Sequence, residues 1–276
     1  MIHRFAYLAM SISCAVGLVA CATPNKPAGS ANSDLANSYV SRAQAQAAEK
    51  RDQEAIADFS KAIELDPKNG TAHEQRGLAF ARTGEQDRGI ADLNEAIALS
   101  PGNVNRYYYR GNIYRARKDY DRAIADYDEA LRLNPRFTFA LNARGLAHKD
   151  KGDLDNALKD FETAIEVSPK YAPPYTNKGL VYAARKDYDG AISAYSKAIE
   201  LGPSAIQFNN RGIAWREKGD LDRAIADYNE AIRLNPNYAL AYDNRGKALR
   251  QKGDNKKAIE DFTTAIRLRS PASPAN

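Results

Sequence analysis

The sequence predicts an all-α fold, a solenoid of stacked helix pairs, and two periodicities carry that prediction. Prolines recur at intervals of 34, 34, 34, 34 and 33 residues, at Pro67, Pro101, Pro135, Pro169, Pro203 and Pro236. Glycines keep nearly the same interval, at Gly77, Gly111, Gly145, Gly179, Gly212 and Gly246. A period of this length is typical of a repeat that contains two helices and a turn. The chain is therefore expected to stack about seven such pairs.

The repeat divides residues 36–272 into seven units, numbered 1 to 7 along the chain: 36–69, 70–103, 104–137, 138–171, 172–204, 205–238 and 239–272. Position 27 of the unit is alanine in all seven units, and position 20 is alanine in six. Small residues at these places allow two helices to approach closely. Position 24 is always Phe, Leu or Tyr. Such a side chain plugs the space between the helices, and its removal typically costs about 3–5 kcal/mol.

The turn inside the unit carries signals that end one helix and begin the next. In unit 4, Gly152 suits a left-handed C-cap and Asp153 suits an N-cap. Proline at position 32 ends one unit before the next begins. The local signals and the overall period agree, which strengthens the prediction of helix pairs.

Composition indicates a protein with a solvated surface. Forty basic and 35 acidic residues leave a net charge of +5, and the mean hydropathy is -0.60. The two signs are interleaved at helical spacing and no run of four basic residues occurs. A nucleic-acid-binding protein would concentrate basic residues on one face. We therefore expect no nucleic-acid partner.

The sequence offers no candidate catalytic residues, cofactor site or metal site. Its two cysteines, Cys14 and Cys21, precede the repeats, so the repeats hold no thiol for a disulfide, a metal or a nucleophile. His73 and His148 occupy positions where the other units place mostly aromatic packing residues. No glycine-rich phosphate loop and no metal-ligand spacing occurs. We therefore expect a protein that is not an enzyme.

The first 20 residues are interpreted as a cleaved signal peptide. His3 and Arg4 give a basic start, and Phe5 to Ala20 form a 16-residue, mostly apolar run. That run is shorter than the roughly 20 residues that span a bilayer. The run ends with small residues before Cys21, as in the sequence "LVAC". An ordinary signal peptide, cut near the same place, is the alternative reading.

The ending "LVAC" resembles the lipobox of bacterial lipoproteins. The resemblance implies that residues 1–20 are removed and that Cys21 becomes the lipidated N-terminus. Two or more acyl chains anchor a protein stably, whereas one does so only marginally. Ala22, rather than aspartate, resembles the residue that follows the cysteine in outer-membrane lipoproteins. Residues 22–35 are rich in Pro, Ala, Gly, Ser and Asn, and they are expected to form a flexible tether.

The 34-residue pattern resembles that of the tetratricopeptide repeat family. The shared features are an aromatic residue at positions 4, 11 and 24, glycine at 8, alanine at 20 and 27, and proline at 32. Residues 106–135, "RYYYRGNIYRARKDYDRAIADYDEALRLNP", match it most fully. The resemblance implies a right-handed superhelix of helix-turn-helix units over residues 36–272. It also implies a function in binding other proteins.

Position 7 departs from the family's usual leucine, because it is arginine in six units and Lys178 in unit 5. Position 23 is aspartate in the same six units and Ala194 in unit 5. This coincidence predicts a structural pair between the two helices of a unit. An anion-binding ladder of arginines is the alternative. The pairs we single out are Arg110 with Asp126, Arg144 with Asp160 and Arg211 with Asp227.

In the tetratricopeptide family the first helices line a concave groove through positions 2, 5, 9, 12 and 13, with position 6 beside them. Transferred by position, the candidate groove residues are Tyr108, Asn112, Arg115, Asn142, Lys149, Asn177, Asn209, Asn210, Arg216, Asn244, Lys247 and Arg250. Their amides suit the backbone of an extended peptide, and their cations favour acidic groups on it. Alternatively, they are simply solvated polar residues. The family's carboxylate clamp is incomplete, because Tyr108 stands where its lysine is expected.

These features predict a non-catalytic, lipid-anchored scaffold at the periplasmic side of the outer membrane. Its groove is expected to bind peptide segments or helices of other proteins, as an assembly or regulatory adaptor. The alternatives are a self-associating component that dimerises through its last repeat, a regulatory subunit of an envelope enzyme, and a secreted or soluble periplasmic protein.

Overall fold

The computed structural model describes residues 28–270, and all regular secondary structure in this range is α-helical. Fourteen helices follow one another in it, as α1 Ala28–Ala48, α2 Asp52–Leu65, α3 Gly70–Arg82, α4 Gln86–Leu99, α5 Val104–Ala116, α6 Tyr120–Leu133, α7 Thr138–Lys151, α8 Leu154–Val167, α9 Ala172–Ala184, α10 Tyr188–Leu201, α11 Ala205–Glu217, α12 Leu221–Leu234, α13 Ala239–Lys252 and α14 Asn255–Arg269. None of the helices in this range has the length and apolarity to cross a bilayer.

Each unit contains one helix pair, and the first helix of the pair begins where the unit begins. The starts of α3, α5, α7, α9, α11 and α13 are the first residues of units 2 to 7, namely Gly70, Val104, Thr138, Ala172, Ala205 and Ala239. The second helix of each pair packs on the first. The all-α prediction and the solenoid of helix pairs are confirmed.

The expected tether is wrong over its second half, because α1 begins at Ala28 and not at residue 36. The segment "AGSANSDL" contains two alanines, the best helix former, and no proline. It continues directly into a helix whose Ala36 and Val40 are buried against Phe59. A helix already fixed by packing extends readily in the N-terminal direction. Residues 22–27 lie outside the described range.

The contacts between helices show which ones form the inner surface. Successive first helices touch one another, as α5 touches α7 and α7 touches α9. No contact joins successive second helices among the described residues. The first helices therefore lie on the shorter, inner radius of the solenoid, and the second helices lie outside.

The first helix of every unit is followed, within two residues, by a residue with left-handed backbone. Four of these residues are glycines, such as Gly152 with φ 92°. The other three are Lys50, Lys118 and Lys186, with φ of 60–62°. A side chain in this conformation costs about 1–2 kcal/mol, so the turn geometry persists in units 1, 3 and 5 without its favoured residue. The side chain of Asp153 then accepts a hydrogen bond from the Asn156 N–H and caps α8.

Glycine at position 8 allows the aromatic side chain of position 24 to lie directly against the first helix. A Cβ atom at Gly145 would lie 2.6 Å from the Phe161 ring, and one at Gly111 would lie 2.7 Å from the Tyr127 ring. Both rings are fully buried. The close approach explains why the glycines follow the 34-residue period.

The structure brings each predicted arginine–aspartate pair together. Arg110, Arg144 and Arg211 donate from Nε and Nη2 to both carboxylate oxygens of their partners, over 2.6–2.9 Å. The same geometry occurs at Arg42, Arg76 and Arg245. Two parallel bonds to one carboxylate form a strong and well-oriented ion pair.

In units 2, 3, 4, 6 and 7 the remaining nitrogen of the arginine reaches the preceding unit. Nη1 of Arg110 donates to Asn94 over 2.6 Å, and Nη1 of Arg144 donates to Asp128 over 2.6 Å. Both acceptors occupy position 25 of the unit before. In unit 5 Lys178 keeps only this second link, because its Nζ donates to Glu162 over 2.8 Å. Each of these arginines therefore joins three helices, whereas the lysine joins two.

We expect Asp126→Ala and Arg110→Ala each to lower the free energy of unfolding by about 3–5 kcal/mol, because each leaves a buried charge without its partner. Chemical denaturation followed by circular dichroism measures this. The double variant should lose less than the sum of the single losses. Arg132→Ala is the control, since Arg132 is exposed and pairs only with Glu129 of its own helix; it should change stability little. Additive losses at Arg110 and Asp126 would contradict the pairing.

Gly145→Ala should destabilise the protein by about 1–3 kcal/mol, because the added methyl group overlaps the buried Phe161 ring. The measurement is the midpoint of thermal unfolding. Gly102→Ala is the matched control, since a Cβ atom at Gly102 meets nothing within 4 Å. If both variants unfold at the same temperature, the close contact between Gly145 and Phe161 is not needed for stability.

Candidate peptide-binding groove

The candidate groove lies on the inner surface, where the first helices contact one another. Its asparagines link successive first helices. Asn177 donates from Nδ2 to Asn142 Oδ1 over 2.8 Å, and joins α9 to α7. Both residues remain partly exposed, and each amide keeps hydrogen-bonding atoms that this bond does not use.

The interpretation of Asn209 and Asn244 as exposed ligand contacts is wrong. Asn244 donates to Asn209 over 2.8 Å, and the two residues are only 8% and 3% exposed. Asn209 also donates to Asn210 over 3.4 Å. Buried amides must be satisfied within the protein, and these two amides satisfy each other between α11 and α13. Asn210, which is partly exposed, stays at the surface.

Tyr108 and Asn112 are held by aromatic neighbours. Asn112 Oδ1 accepts a hydrogen bond of 2.8 Å from the Tyr127 hydroxyl. Burial raises the pKa of the Tyr127 phenol, against the opposing effect of Arg115. Tyr108 packs edge-on against Phe137, with ring centroids 5.4 Å apart. These contacts orient the two groove residues before any ligand arrives.

The basic groove residues are mostly neutralised by neighbouring carboxylates. Arg115 and Lys149 both donate to Asp150, over 3.2 and 2.7 Å. Arg216 donates to Glu217 and Lys247 pairs with Asp243. These carboxylates offset the charge that was expected to attract acidic ligands. Arg250 differs, because it is exposed and has no carboxylate partner within residues 28–270.

A row of exposed apolar side chains, not predicted from the sequence, lies in the first turn of the first helices. Phe139, Ile206 and Leu240 are 51%, 57% and 50% exposed, although they are large. All three occupy position 2 of their units, which is a groove position in this family. Reading position 2 across the aligned units would have identified them.

Phe139 belongs to a chain of aromatic rings that starts at the groove. Tyr108, Phe137, Phe139 and Tyr171 pack edge to face, with successive centroids 5.4, 5.9 and 5.4 Å apart. The chain extends from α5 to the start of α9 across the loops between units. Aromatic side chains supply large contact areas at protein interfaces.

The described residues show no cluster of three or more histidine, cysteine, aspartate or glutamate side chains suited to a metal. His73 is buried, with ring nitrogens 3.1 Å from the Pro67 carbonyl oxygen and 3.5 Å from an Asp92 carboxylate oxygen. Its contacts are those of a packed helix residue. Cys21 lies outside the described residues.

The chain belongs to the tetratricopeptide repeat family. Family models described as tetratricopeptide repeat match residues 104–137, 142–206 and 239–270, and one described as TPR repeat matches 43–84 and 212–249. Proteins of this family generally serve as non-catalytic scaffolds for protein–protein interaction. A comparison with curated proteins gives no matching relative.

Solved structures share the fold. A tetratricopeptide repeat protein from Parabacteroides merdae is 20% identical, with a TM-score of 0.69 over 87% of this chain and 95% of that one. PilF of Pseudomonas aeruginosa is 18% identical, with a TM-score of 0.66 over 76% of this chain and 96% of that one. YrrB, described as a TPR protein with an unusual peptide-binding site, is 23% identical, with a TM-score of 0.52 over 66% of this chain and 95% of that one.

Proposed function

We propose that this protein is a non-catalytic scaffold that binds an extended segment or a helix of a partner protein in its groove. The observation that carries the proposal is the row formed by Phe139, Ile206 and Leu240, each at least half exposed on the inner helices. Large apolar side chains that stay exposed at the same position of several units favour an interaction surface. A peptide-binding site in YrrB, a protein of the same fold, is consistent with this use.

The groove combines apolar anchors with amides and paired charges. The apolar row supplies contact area, while Asn142 and Asn177 retain amide atoms that can bond a peptide backbone. Because Arg115 and Lys149 already pair with Asp150, ionic attraction contributes little to affinity. Binding is therefore expected to depend on shape and apolar contact, and to weaken little as salt increases.

The N-terminal sequence supports attachment to a membrane. A lipidated Cys21 would hold the protein at the periplasmic face of the outer membrane, and the residues before α1 would separate the repeats from the lipid. The groove would then recruit its partners at that surface, as an assembly or regulatory adaptor, including as a regulatory subunit of an envelope enzyme.

Self-association through the last repeat is a second candidate function, and one observation favours it. Ile259 and Ile266 of α14 are 65% and 64% exposed. They are seven residues apart and so lie on one face of the helix. Phe262, between them, is only partly buried. A second copy of the chain would cover this apolar face.

Site-specific crosslinking tests the groove. The photo-reactive residue p-benzoylphenylalanine is placed at position 139 or 259 in cells, and crosslinked products are identified by mass spectrometry. Position 139 should capture partner proteins, and the bands should weaken when Ile206→Ala and Leu240→Ala are added, because these changes remove the rest of the apolar row. Arg132→Ala with Lys197→Ala is the control, since both residues pair only within their own helices.

An unchanged set of crosslinks from position 139 in the Ile206→Ala, Leu240→Ala variant would refute binding in this groove, provided that the variant keeps its helical circular dichroism. A product of twice the chain's mass from position 259 supports self-association. A monomer alone at position 259 removes that candidate.

Cys21→Ser should release the protein from the membrane fraction while leaving the repeats folded, because the thiol that would carry the lipid is absent. Fractionation and mass spectrometry of the mature N-terminus measure this. Cys14→Ser is the control and should remain membrane-bound. A Cys21→Ser protein that stays in the membrane fraction would contradict lipid anchoring, and a wild type found free of membranes would favour a soluble periplasmic or secreted protein.

A further inference from the structure

Unit 5 departs from the other units at three places that lie close together. It has Lys178 and Ala194 where the others have the arginine–aspartate pair, and it has Gly190 at position 19, where the others carry a long or polar side chain. The structure shows a cavity of about 690 Å³ there, between α8, α9 and α10, with Tyr182, Gly190 and Ala194 in its wall.

Units 2, 3 and 6 show what position 19 normally does. There an arginine lies over the aromatic ring of position 11, with its guanidinium carbon 3.9 Å from the ring centroid for Arg88 on Phe80, 4.7 Å for Arg122 on Tyr114 and 4.0 Å for Arg223 on Trp215. The same arginines donate over 2.6 Å to the residue at position 16, namely Glu85, Asp119 and Asp220.

The bond between positions 16 and 19 is present in the other three units as well. It joins Arg51 to Glu54, Asn156 to Asp153 and Lys257 to Asp254. In unit 5 the ring and the carboxylate remain, as Tyr182 and Asp187, but Gly190 has no side chain to bridge them. Asp187 accepts a bond only from the Gly190 N–H, over 2.9 Å, and has no cation partner within residues 28–270.

The two groups converge on the place where the side chain of position 19 would start. A Cβ atom at Gly190 would lie 3.0 Å from Tyr182 Cγ and 2.7 Å from Asp187 Oδ2. Tyr182 and Gly190 also face the cavity. A cation that enters the cavity at Gly190 would thus contact the Tyr182 ring and lie close to the Asp187 carboxylate.

Lys178 does not take the missing place. Its Nζ lies 5.5 Å from the Tyr182 ring centroid and donates to Glu162. Unit 2 has the same arrangement, since Arg76 at position 7 lies 5.7 Å from the Phe80 centroid while Arg88 lies over the same ring at 3.9 Å. The cation of position 7 therefore leaves room for a second, closer cation.

The charge of the cavity favours a cation. Its two lysines are already paired, Lys178 with Glu162 and Lys197 with Glu200. Glu166, which also lines the cavity, is exposed and has no cation partner in the described part of the chain. The cavity thus offers carboxylate oxygens and an aromatic ring, and both attract guanidinium groups.

We propose that unit 5 binds an arginine side chain of a partner protein, whose guanidinium takes the place that Arg122 and Arg223 occupy in units 3 and 6. The guanidinium lies over the Tyr182 ring and pairs with Asp187, and the side chain's stem fills the cavity beside Ala194. This site goes beyond the groove, because none of the groove residues lines the cavity. It does not depend on the groove being a binding site.

Arginine fits the place better than lysine does. A planar guanidinium can stack on a ring and donate to a carboxylate at the same time, as Arg122 does in unit 3. An ammonium group is a compact, strongly hydrated charge and makes these contacts less well. The site should therefore discriminate between the two cations.

The test uses full-length protein labelled with [15N]glycine and the probe N-acetyl-arginine-methylamide, with N-acetyl-lysine-methylamide for comparison. The Gly190 amide signal should shift on titration with the arginine probe, with a dissociation constant in the millimolar range that is characteristic of a single residue. The lysine probe should bind at least about threefold more weakly. Saturation transfer to the probe measures binding in variants that lack Gly190.

Three variants provide matched comparisons. Gly190→Arg supplies the arginine within the chain and should reduce binding at least about tenfold, because its guanidinium fills the place. Asp187→Asn keeps the helix cap and removes the charge, and should weaken binding about threefold. Arg122→Gly vacates the equivalent place in unit 3, beside Tyr114 and Asp119, and should add a second binding site whose new glycine amide also shifts.

A Gly190 amide that does not respond to the arginine probe would overturn the proposal. So would equal binding of the lysine probe, or unchanged binding by a folded Gly190→Arg protein. The groove crosslinks from position 139 should persist in Gly190→Arg, so a failure of this site and a failure of the groove give different results.

Discussion

The bidentate pair between arginine at position 7 and aspartate at position 23 is the interaction on which the array depends. It fixes the two helices of a unit to each other, and the third nitrogen of the arginine fixes that unit to the one before. Asp126 is only 6% exposed, so its carboxylate is desolvated, and this burial raises the pKa of the Asp126 carboxyl despite its arginine partner. A desolvated pair adds little net stability, but it strongly disfavours any packing that separates its members. Its contribution is therefore mainly to the geometry of stacking.

The sequence alone predicted this pair because both members follow the same 34-residue period. Lys178 and Ala194 depart from the pattern together, which revealed that the two positions interact. The same reasoning could not predict the bond between Asn244 and Asn209, which spans 35 residues and joins position 6 of one unit to position 5 of the unit before. That offset follows from the superhelical rotation between units. The start of α1 was also missed, because "AGSANSDL" has the composition of a linker while its helix is fixed by contacts of Ala36 and Val40.

The groove offers a ligand fewer free polar groups than its amino-acid composition indicates. Some of its asparagine amides hydrogen-bond to each other, as Asn244 does to Asn209. Most of its basic side chains pair with neighbouring carboxylates. Apolar side chains at position 2 remain exposed because they lie in the first turn of the inner helices, where no neighbouring helix covers them. In a repeat array each unit packs only on its neighbours, so the position 2 side chains of units 4, 6 and 7 are left at the surface.

Unit 5 shows how a repeat can change without interrupting the array. It loses the pair within the unit and the side-chain contact between positions 16 and 19, but Lys178 keeps the bond to Glu162 of unit 4, and Arg211 of unit 6 still reaches Ser196 of unit 5. The stability of such an array is approximately the sum of the interactions within each unit and the interactions between neighbouring units. Because unit 5 loses only interactions within itself and keeps its bonds to units 4 and 6, the helices continue to stack in register. The lost side chains leave a cavity that is lined by the Tyr182 ring and lies beside Asp187, the counterpart of the aspartates that hold an arginine in units 3 and 6, and this is the place where we propose that a partner's arginine binds.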